Sequence, residues 1–155
     1  MLQRIQTIFL LFVLVFSIAF YIFPTGTVLL NDDIELSVRL WGFNYLDSSK
    51  ESVMMPGWYM VVLNAVITLT TLVTIILFRH RSLQVRFSIF NIIVQLGFFA
   101  MLFVYLYLCR ETAGGISYHT NLMIVFPIAQ VILTILAIRS ILIDDALVKS
   151  VDRLR

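Results

Sequence analysis

The side chains best placed for chemistry in this sequence are neutral ones spaced for one face of a helix. Asn64, Thr68 and Thr71 recur at intervals of four and three, Ser88, Asn91 and Gln95 at three and four, and Gln130 and Thr134 at four, with Pro127 on the same side. Amides and hydroxyls of this kind recognise; they do not shuttle protons at neutral pH. Two uses are open to them. They can pair across helices and fix register, or they can line a polar pocket for a small ligand or a lipid headgroup. Pairing is the expectation, because an amide in hydrocarbon must find a partner and no charge accompanies these faces to draw a substrate. Pro127 is expected to kink its helix and free a carbonyl that Gln130 could satisfy.

The ionisable residues offer less. His80 and His119 fall at opposite ends of predicted spans, so they cannot share a metal or a haem. Asp32-Asp33 and Asp144-Asp145 are adjacent pairs whose side chains diverge on a strand or helix, which is not the geometry of a carboxylate dyad. Cys109 is the single cysteine; it cannot close a disulfide within the chain or build a Cys-based zinc site alone. No Gly-rich phosphate cradle, HExxH or GxSxG motif is present. Ala113-Gly114-Gly115 reads as a tight turn. The expectation is a chain that is not an enzyme and uses no metal or cofactor.

Stepping outward, the elements that carry these residues are written in the composition. Hydrophobic residues make up 61% of the 155 and charged residues 13%, against about 45–50% and about 25% in soluble domains. A helix needs about 20 apolar residues to cross a bilayer core. Four segments qualify, at about 5–23 (ended by Pro24), 57–78, 87–109 and 120–138, and none contains a charged side chain. The first is expected to be a retained anchor, since its apolar stretch exceeds the usual 7–15 residues of a signal peptide and FPTGTV shows no cleavage pattern.

Arg4, Arg79, Arg81, Arg86, Arg139, Lys149, Arg153 and Arg155 fall on one side of these spans, and Arg39, Lys50 and Arg110 on the other. The excess of basic residues predicts that both termini and the loop RHRSLQVR are cytoplasmic. The long outer connection, 24–56, alternates Ile34, Leu36, Val38 and Leu40 with Glu35, Ser37 and Arg39, the period of a half-buried strand. Thr27–Leu30 is a second candidate strand, Asn31-Asp32-Asp33 a turn between them, and 41–46 a third strand. This small hairpin or sheet is expected to cap the bundle, with Trp41 and Tyr45 near the headgroups. In the tail, 139–155, Ile143, Leu147, Val151 and Leu154 keep helical spacing. Helix four therefore runs on past the bilayer boundary as an amphipathic extension. Its emergent part either lies in the interface, the simpler reading, or projects to dock on a partner or on RHRSLQVR. Candidate interface contacts are Trp41, Tyr45, Arg79, Arg81, Arg86, Leu147, Val151 and Leu154.

MLQRIQTIFLL at the start, VRFSIFNI within and AIRSILIDDALVKSVDRLR at the end, above all the QRIQ and DRLR stretches, resemble a family of small four-span proteins of Bacteroidota. That family is defined only as a domain of unknown function. The resemblance covers nearly the whole chain. It implies four helices in the bacterial inner membrane and supplies no activity or catalytic residues. The layout is also similar to that of claudins, without the paired cysteines of their outer loop, so that likeness is one of layout alone. The sequence thus predicts one polytopic all-α membrane domain over 1–155, a four-helix bundle with a small extracytoplasmic β element. Its partners are the lipid bilayer and other membrane subunits, with no nucleic acid. The preferred role is a non-catalytic accessory or scaffold subunit; the alternative is a small lipid- or solute-handling protein using the neutral polar face.

Overall fold

Apolar runs of this length satisfy their backbones in hydrocarbon by coiling into helices. In a computed structural model, which describes residues 2–31, 34–45, 57–113, 117–120 and 122–152, four helices form: α1 (Leu2–Ile22), α2 (Trp58–Ile76), α3 (Arg81–Ala113) and α4 (Val125–Asp152). All four are long and apolar enough to cross a membrane, and only 28% to 33% of each candidate span is buried within the chain. The remainder is apolar surface such as Leu69, Ile76 and Ile93, each at least 60% exposed. Outward-facing aliphatic side chains on all four helices belong in lipid, so this is a multi-pass membrane protein.

The helices form an antiparallel ring. α1 packs on α4 and α2, and α3 packs on α2 and α4. Chain neighbours are therefore neighbours in space, as short connections favour. The start of α1 and the end of α4 lie at one end of the bundle, which we call the termini end.

At the other end lies a four-stranded antiparallel sheet, built from β1 (Gly26–Asn31), β2 (Ile34–Arg39), β3 (Gly42–Tyr45) and β4 (Ser117–Thr120) in the order β3-β2-β1-β4. The first three strands are those that the sequence predicts. The fourth comes from the connection between α3 and α4, pairing Thr27 with His119 and Val28 with Tyr118. That connection is more than a tight turn; Gly114 and Gly115 lie outside the described residues. Four polar or aromatic residues, SYHT, carry no period to announce a strand, and the edge of β1 recruits them. As a result span four starts later than expected. Thr120 is in β4, and α4 begins only at Val125 after a 3₁₀ turn at Leu122–Ile124.

Pro127 explains that start. It sits in the first turn of α4, where a backbone N–H has no intrahelical partner to lose, so it sets the helix start instead of kinking the interior. Gln130 consequently has no freed carbonyl to serve. The segment RHRSLQVR is also not a loop. A 3₁₀ turn at Leu77–Arg79 and His80 alone join α2 to α3, whose first turns hold Arg81 to Arg86. The amide of Gln84 closes the first turn of α3 on the His80 carbonyl at 3.0 Å.

The sheet is locked to the bundle by its alternating face. Val38 and Leu40 are fully buried in the same apolar cluster as Phe20, Met60, Phe98, Leu102 and Tyr105. Thr25 closes the end of α1 onto the sheet through its amide and hydroxyl, 2.8 Å and 2.9 Å from the Val38 carbonyl. Tyr105 on α3 donates to the Arg39 carbonyl at 3.3 Å. Ser37, expected on the polar face, is buried as well; it stands between Thr27 and Asn44 in the register of the sheet. The turn after β2 depends on two glycines. Gly42 adopts a φ of 144°, a region that favours glycine. Gly57, at the start of α2, approaches so closely that a Cβ there would overlap the Leu40 carbonyl oxygen.

Candidate functional site

Amides and hydroxyls line the middle of the bundle, and the ring of helices decides whom they meet. Between α1 and α2, Ser17 Oγ donates to Asn64 Oδ1 at 2.9 Å and Asn64 Nδ2 donates to the Ser17 carbonyl at 2.9 Å. The Thr68 hydroxyl lies 2.6 Å from Ser17 Oγ. Between α2 and α3, Asn91 Oδ1 accepts from Thr70 at 2.8 Å, and Asn91 Nδ2 donates at 2.9 Å to Thr71. Thr71 passes its own hydrogen to the Ile67 carbonyl at 2.7 Å. Between α3 and α4, Gln95 Nε2 donates to Thr134 Oγ1 at 3.1 Å, and Thr134 donates to the Gln130 carbonyl at 2.8 Å. The ring closes where Gln130 Nε2 on α4 reaches the Val13 carbonyl on α1 at 3.4 Å.

Each of the four seams thus carries an amide bridge. Asn64, Thr71, Asn91, Gln95, Gln130 and Thr134 are fully buried and Thr68 is partly so. The fold places all seven predicted polar residues inward, but it distributes them over four interfaces instead of gathering them around one pocket. Such bridges contribute about 0.6 kcal/mol each inside a membrane. Their consequence is register: a slip of any helix strands an amide in hydrocarbon.

A second polar group lies nearer the termini end and is differently satisfied. Gln6, Gln84, Ser88 and Ser140 are all more than nine-tenths buried. Gln6 Oε1, Gln84 Oε1, Ser88 Oγ and Ser140 Oγ have no hydrogen-bond partner among the described residues. The antiparallel registers place them in the same half of the bundle. Continuing one turn from the Thr71–Asn91 contact sets Thr74 opposite Ser88, and seven residues along both helices from the Val13–Gln130 contact sets Gln6 opposite Ala137. Two turns beyond Ser88 lies Arg81, the first residue of α3. Its Nη1 donates to the Asp144 carbonyl at 3.0 Å, and its Nη2 lies 3.0 Å from Asp144 Oδ2. The carbonyl takes the directed hydrogen bond; the carboxylate makes an ion pair without one. Asp144 also offsets a cation placed at the unfavourable, positive end of the α3 dipole.

α4 continues as one helix past Arg139 and packs on α3 as far as Asp144, so this part of the tail docks on RHRSLQVR, whose residues from Arg81 on form the first turns of a helix and not a loop. The eight residues from Asp145 to Asp152 then run about 12 Å past the start of α3. Leu147 on this extension, and Ile143 just before it, are about half exposed. Val151 lies in α4 by its backbone, and Leu154 lies outside the described residues.

Of the other predicted contacts, Trp41 is 65% exposed at the sheet end, with its ring 6.3 Å from that of Tyr21. Trp58 and Tyr107 are exposed at the same end, the placement of an interfacial aromatic belt. Arg81 is held by Asp144, and Arg86 is exposed. Tyr45 lies in β3 and Arg79 in the 3₁₀ turn, their side chains outside the description. His80 stands between α2 and α3 and His119 in β4, at opposite ends of the molecule.

Sequence reasoning missed Ser17, Gln6, Gln84, Ser140 and Asp144. The signal for Ser17 was available: it is the only polar side chain between Thr7 and Tyr21. Gln84 extends the Ser88, Asn91, Gln95 stripe by another four residues, but 79–86 reads as a loop on charge alone. Ser140 and Asp144 were hidden by treating Arg139 as the end of the packed helix.

Comparison with known proteins adds a family and no activity. Neither curated proteins nor solved structures include a match to this chain. A family profile matches residues 2–154, nearly the whole chain, and its extent agrees with the single bundle seen here. The chain therefore belongs to the family described as Domain of unknown function (DUF4293).

Proposed function

We propose that this protein is a non-catalytic accessory or scaffold subunit of an assembly in the bacterial inner membrane, with both termini in the cytoplasm. The observation that carries the reading is that the mid-bundle amides bridge the helices, with Gln130 Oε1 the one amide atom among them that finds no partner among the described residues. Amides on α2, α3 and α4 are engaged across the four seams, which favours a fixed frame over a reaction chamber. What the chain offers to other molecules is then its outside. α4 presents Ile143 beside the start of α3 and Leu147 beyond it, both about half exposed, and an amphipathic helix with an exposed apolar stripe is a common docking element. The orientation rests on the eight basic residues of the termini side against three on the sheet side.

The test is site-specific photocrosslinking in the native membrane. A photoreactive residue at Leu147 should give one discrete protein adduct, whereas one at Ile93, in the lipid-facing middle of α3, should give none. Adducts absent at both positions, with the chain extracted as a lone monomer in every mild detergent, would sink the proposal. A second reading, binding of a small polar solute, is favoured by the unpartnered atoms of Gln6, Gln84, Ser88 and Ser140. It moves the candidate pocket from the mid-bundle amides to the termini half.

A further inference from the structure

On the outer side of the α3–α4 seam, at the termini end, lies a cleft of about 250 Å³ whose walls include Arg81, Ser82, Val85 and Arg86 from α3 and Leu142 and Asp145 from α4. It sits where the exposed apolar side chains of the two helices, among them Phe87, Ile89 and Leu136, give way to charge. That level of a spanning helix is the headgroup region. The molecules surrounding such a cleft are phospholipids, with their acyl chains along the helices and their headgroups at its height.

The charges select among headgroups. Arg81 is largely balanced by its ion pair with Asp144, which also fixes its position. The remaining charged side chains of the wall are one cation, Arg86, and one anion, Asp145. An anionic headgroup would meet Arg86 but be repelled by Asp145. A choline headgroup matches the signs but has no N–H to donate. An aminoethyl phosphodiester matches both in sign and in hydrogen bonding. Its phosphate can accept from the Arg86 guanidinium and the Ser82 hydroxyl, and its ammonium can donate to Asp145. Asp145 has a further interaction within the chain, and a carboxylate has acceptor sites for more than one donor. The volume is that of about eight waters at roughly 30 Å³ each, room for the eight non-hydrogen atoms of a phosphoethanolamine group. Val85 and Leu142 supply apolar contact for the start of the acyl chains.

We propose that this cleft is a binding site for the headgroup of a phosphatidylethanolamine-type lipid in the leaflet at the termini end. Full-length protein is exchanged into mixed bicelles containing equal phosphatidylethanolamine, phosphatidylglycerol and phosphatidylcholine, and retained lipid is counted by native mass spectrometry. The aminoethyl lipid should be retained about fivefold over each of the others, the discrimination that one near-surface charge supplies. Asp145→Asn should remove the preference over phosphatidylglycerol, and Arg86→Gln should lower retention of the aminoethyl lipid about fivefold. Arg39→Gln, at the sheet end, should leave both unchanged. Equal retention of the three lipids, a preference for phosphatidylglycerol, or an unaltered order in Asp145→Asn would overturn the proposal. Displacement of the lipid by millimolar O-phosphoethanolamine would also overturn it, in favour of a soluble ligand.

Discussion

The two halves of the bundle are held together by different means. Toward the sheet end the core is aromatic and apolar. Phe20 meets Phe98 edge-on at 5.3 Å and Phe126 at 6.2 Å, Phe16 stacks on Phe126 at 4.7 Å, and Tyr59 meets Tyr105 at 6.0 Å. The sheet lays Val38 and Leu40 over this cluster. Toward the termini end the buried positions include Leu10, Ala137 and Ile141 but are mostly polar: Gln6, Thr74, Gln84, Ser88 and Ser140, several with atoms that find no partner among the described residues. The seam amides divide the two regions. In lipid, apolar burial by itself drives little association, because hydrocarbon is as good a neighbour as another helix. The sheet half therefore relies on close packing of rings, and the middle on directed hydrogen bonds. The termini half has neither in full, and local opening and ligand entry should concentrate there.

Three substitutions break or sharpen this contrast. Phe98→Ala removes a ring wholly enclosed by the apolar cluster. It should cost about 2–3 kcal/mol, somewhat less than the ~3–5 kcal/mol of a water-soluble core because lipid, not water, is the alternative surrounding. Reversible unfolding in mixed micelles measures it, and a loss below 1 kcal/mol would show the sheet half to be loosely packed. Asn64→Leu should cost less, about 1 kcal/mol, by removing both bonds across the α1–α2 seam, from the Ser17 hydroxyl to Asn64 Oδ1 and from Asn64 Nδ2 to the Ser17 carbonyl. A double-mutant cycle with Ser17→Ala should return a coupling of about 0.6 kcal/mol; additive effects would mean that the seam amides do not set register. Ser88→Ala is the smallest change and should differ in sign. Its hydroxyl is fully buried and has no partner among the described residues, so its removal should be neutral or stabilise by up to about 1 kcal/mol. A clear destabilisation would instead show that Ser88 holds an ordered water or a solute, which is the second functional reading.

How far these features were legible depends on the range of the interaction that sets each. The spans 5–23 and 57–78 lie within a few residues of α1 and α2, because an apolar run long enough to cross hydrocarbon has no other backbone solution. Strands β1 to β3 were legible from alternation and turn chemistry. Spans three and four were misjudged at the ends where neighbours intervene. Arg81 enters α3 because Asp144, 63 residues away in sequence, is there to pair with it, and Thr120 leaves α4 because β1 offers an open edge. Spacing placed Asn64, Asn91, Gln95 and Gln130 on inward faces. It could not say that each would be claimed by a different seam.

Composition and periodicity, which act within one turn or one strand, were enough to determine four apolar helices, their inward polar faces and a β element on one connection. The tertiary structure decided the rest. It chose the ring order of the helices, the pairing partner of each amide, the recruitment of Ser117–Thr120 into the sheet and the packing of α4 on α3 past Arg139. It also gathered Arg86 and Asp145 at one cleft. The physical reason is that a hydrogen bond or an ion pair needs both partners within about 3 Å, and only the packed helices bring residues so distant in sequence to that separation.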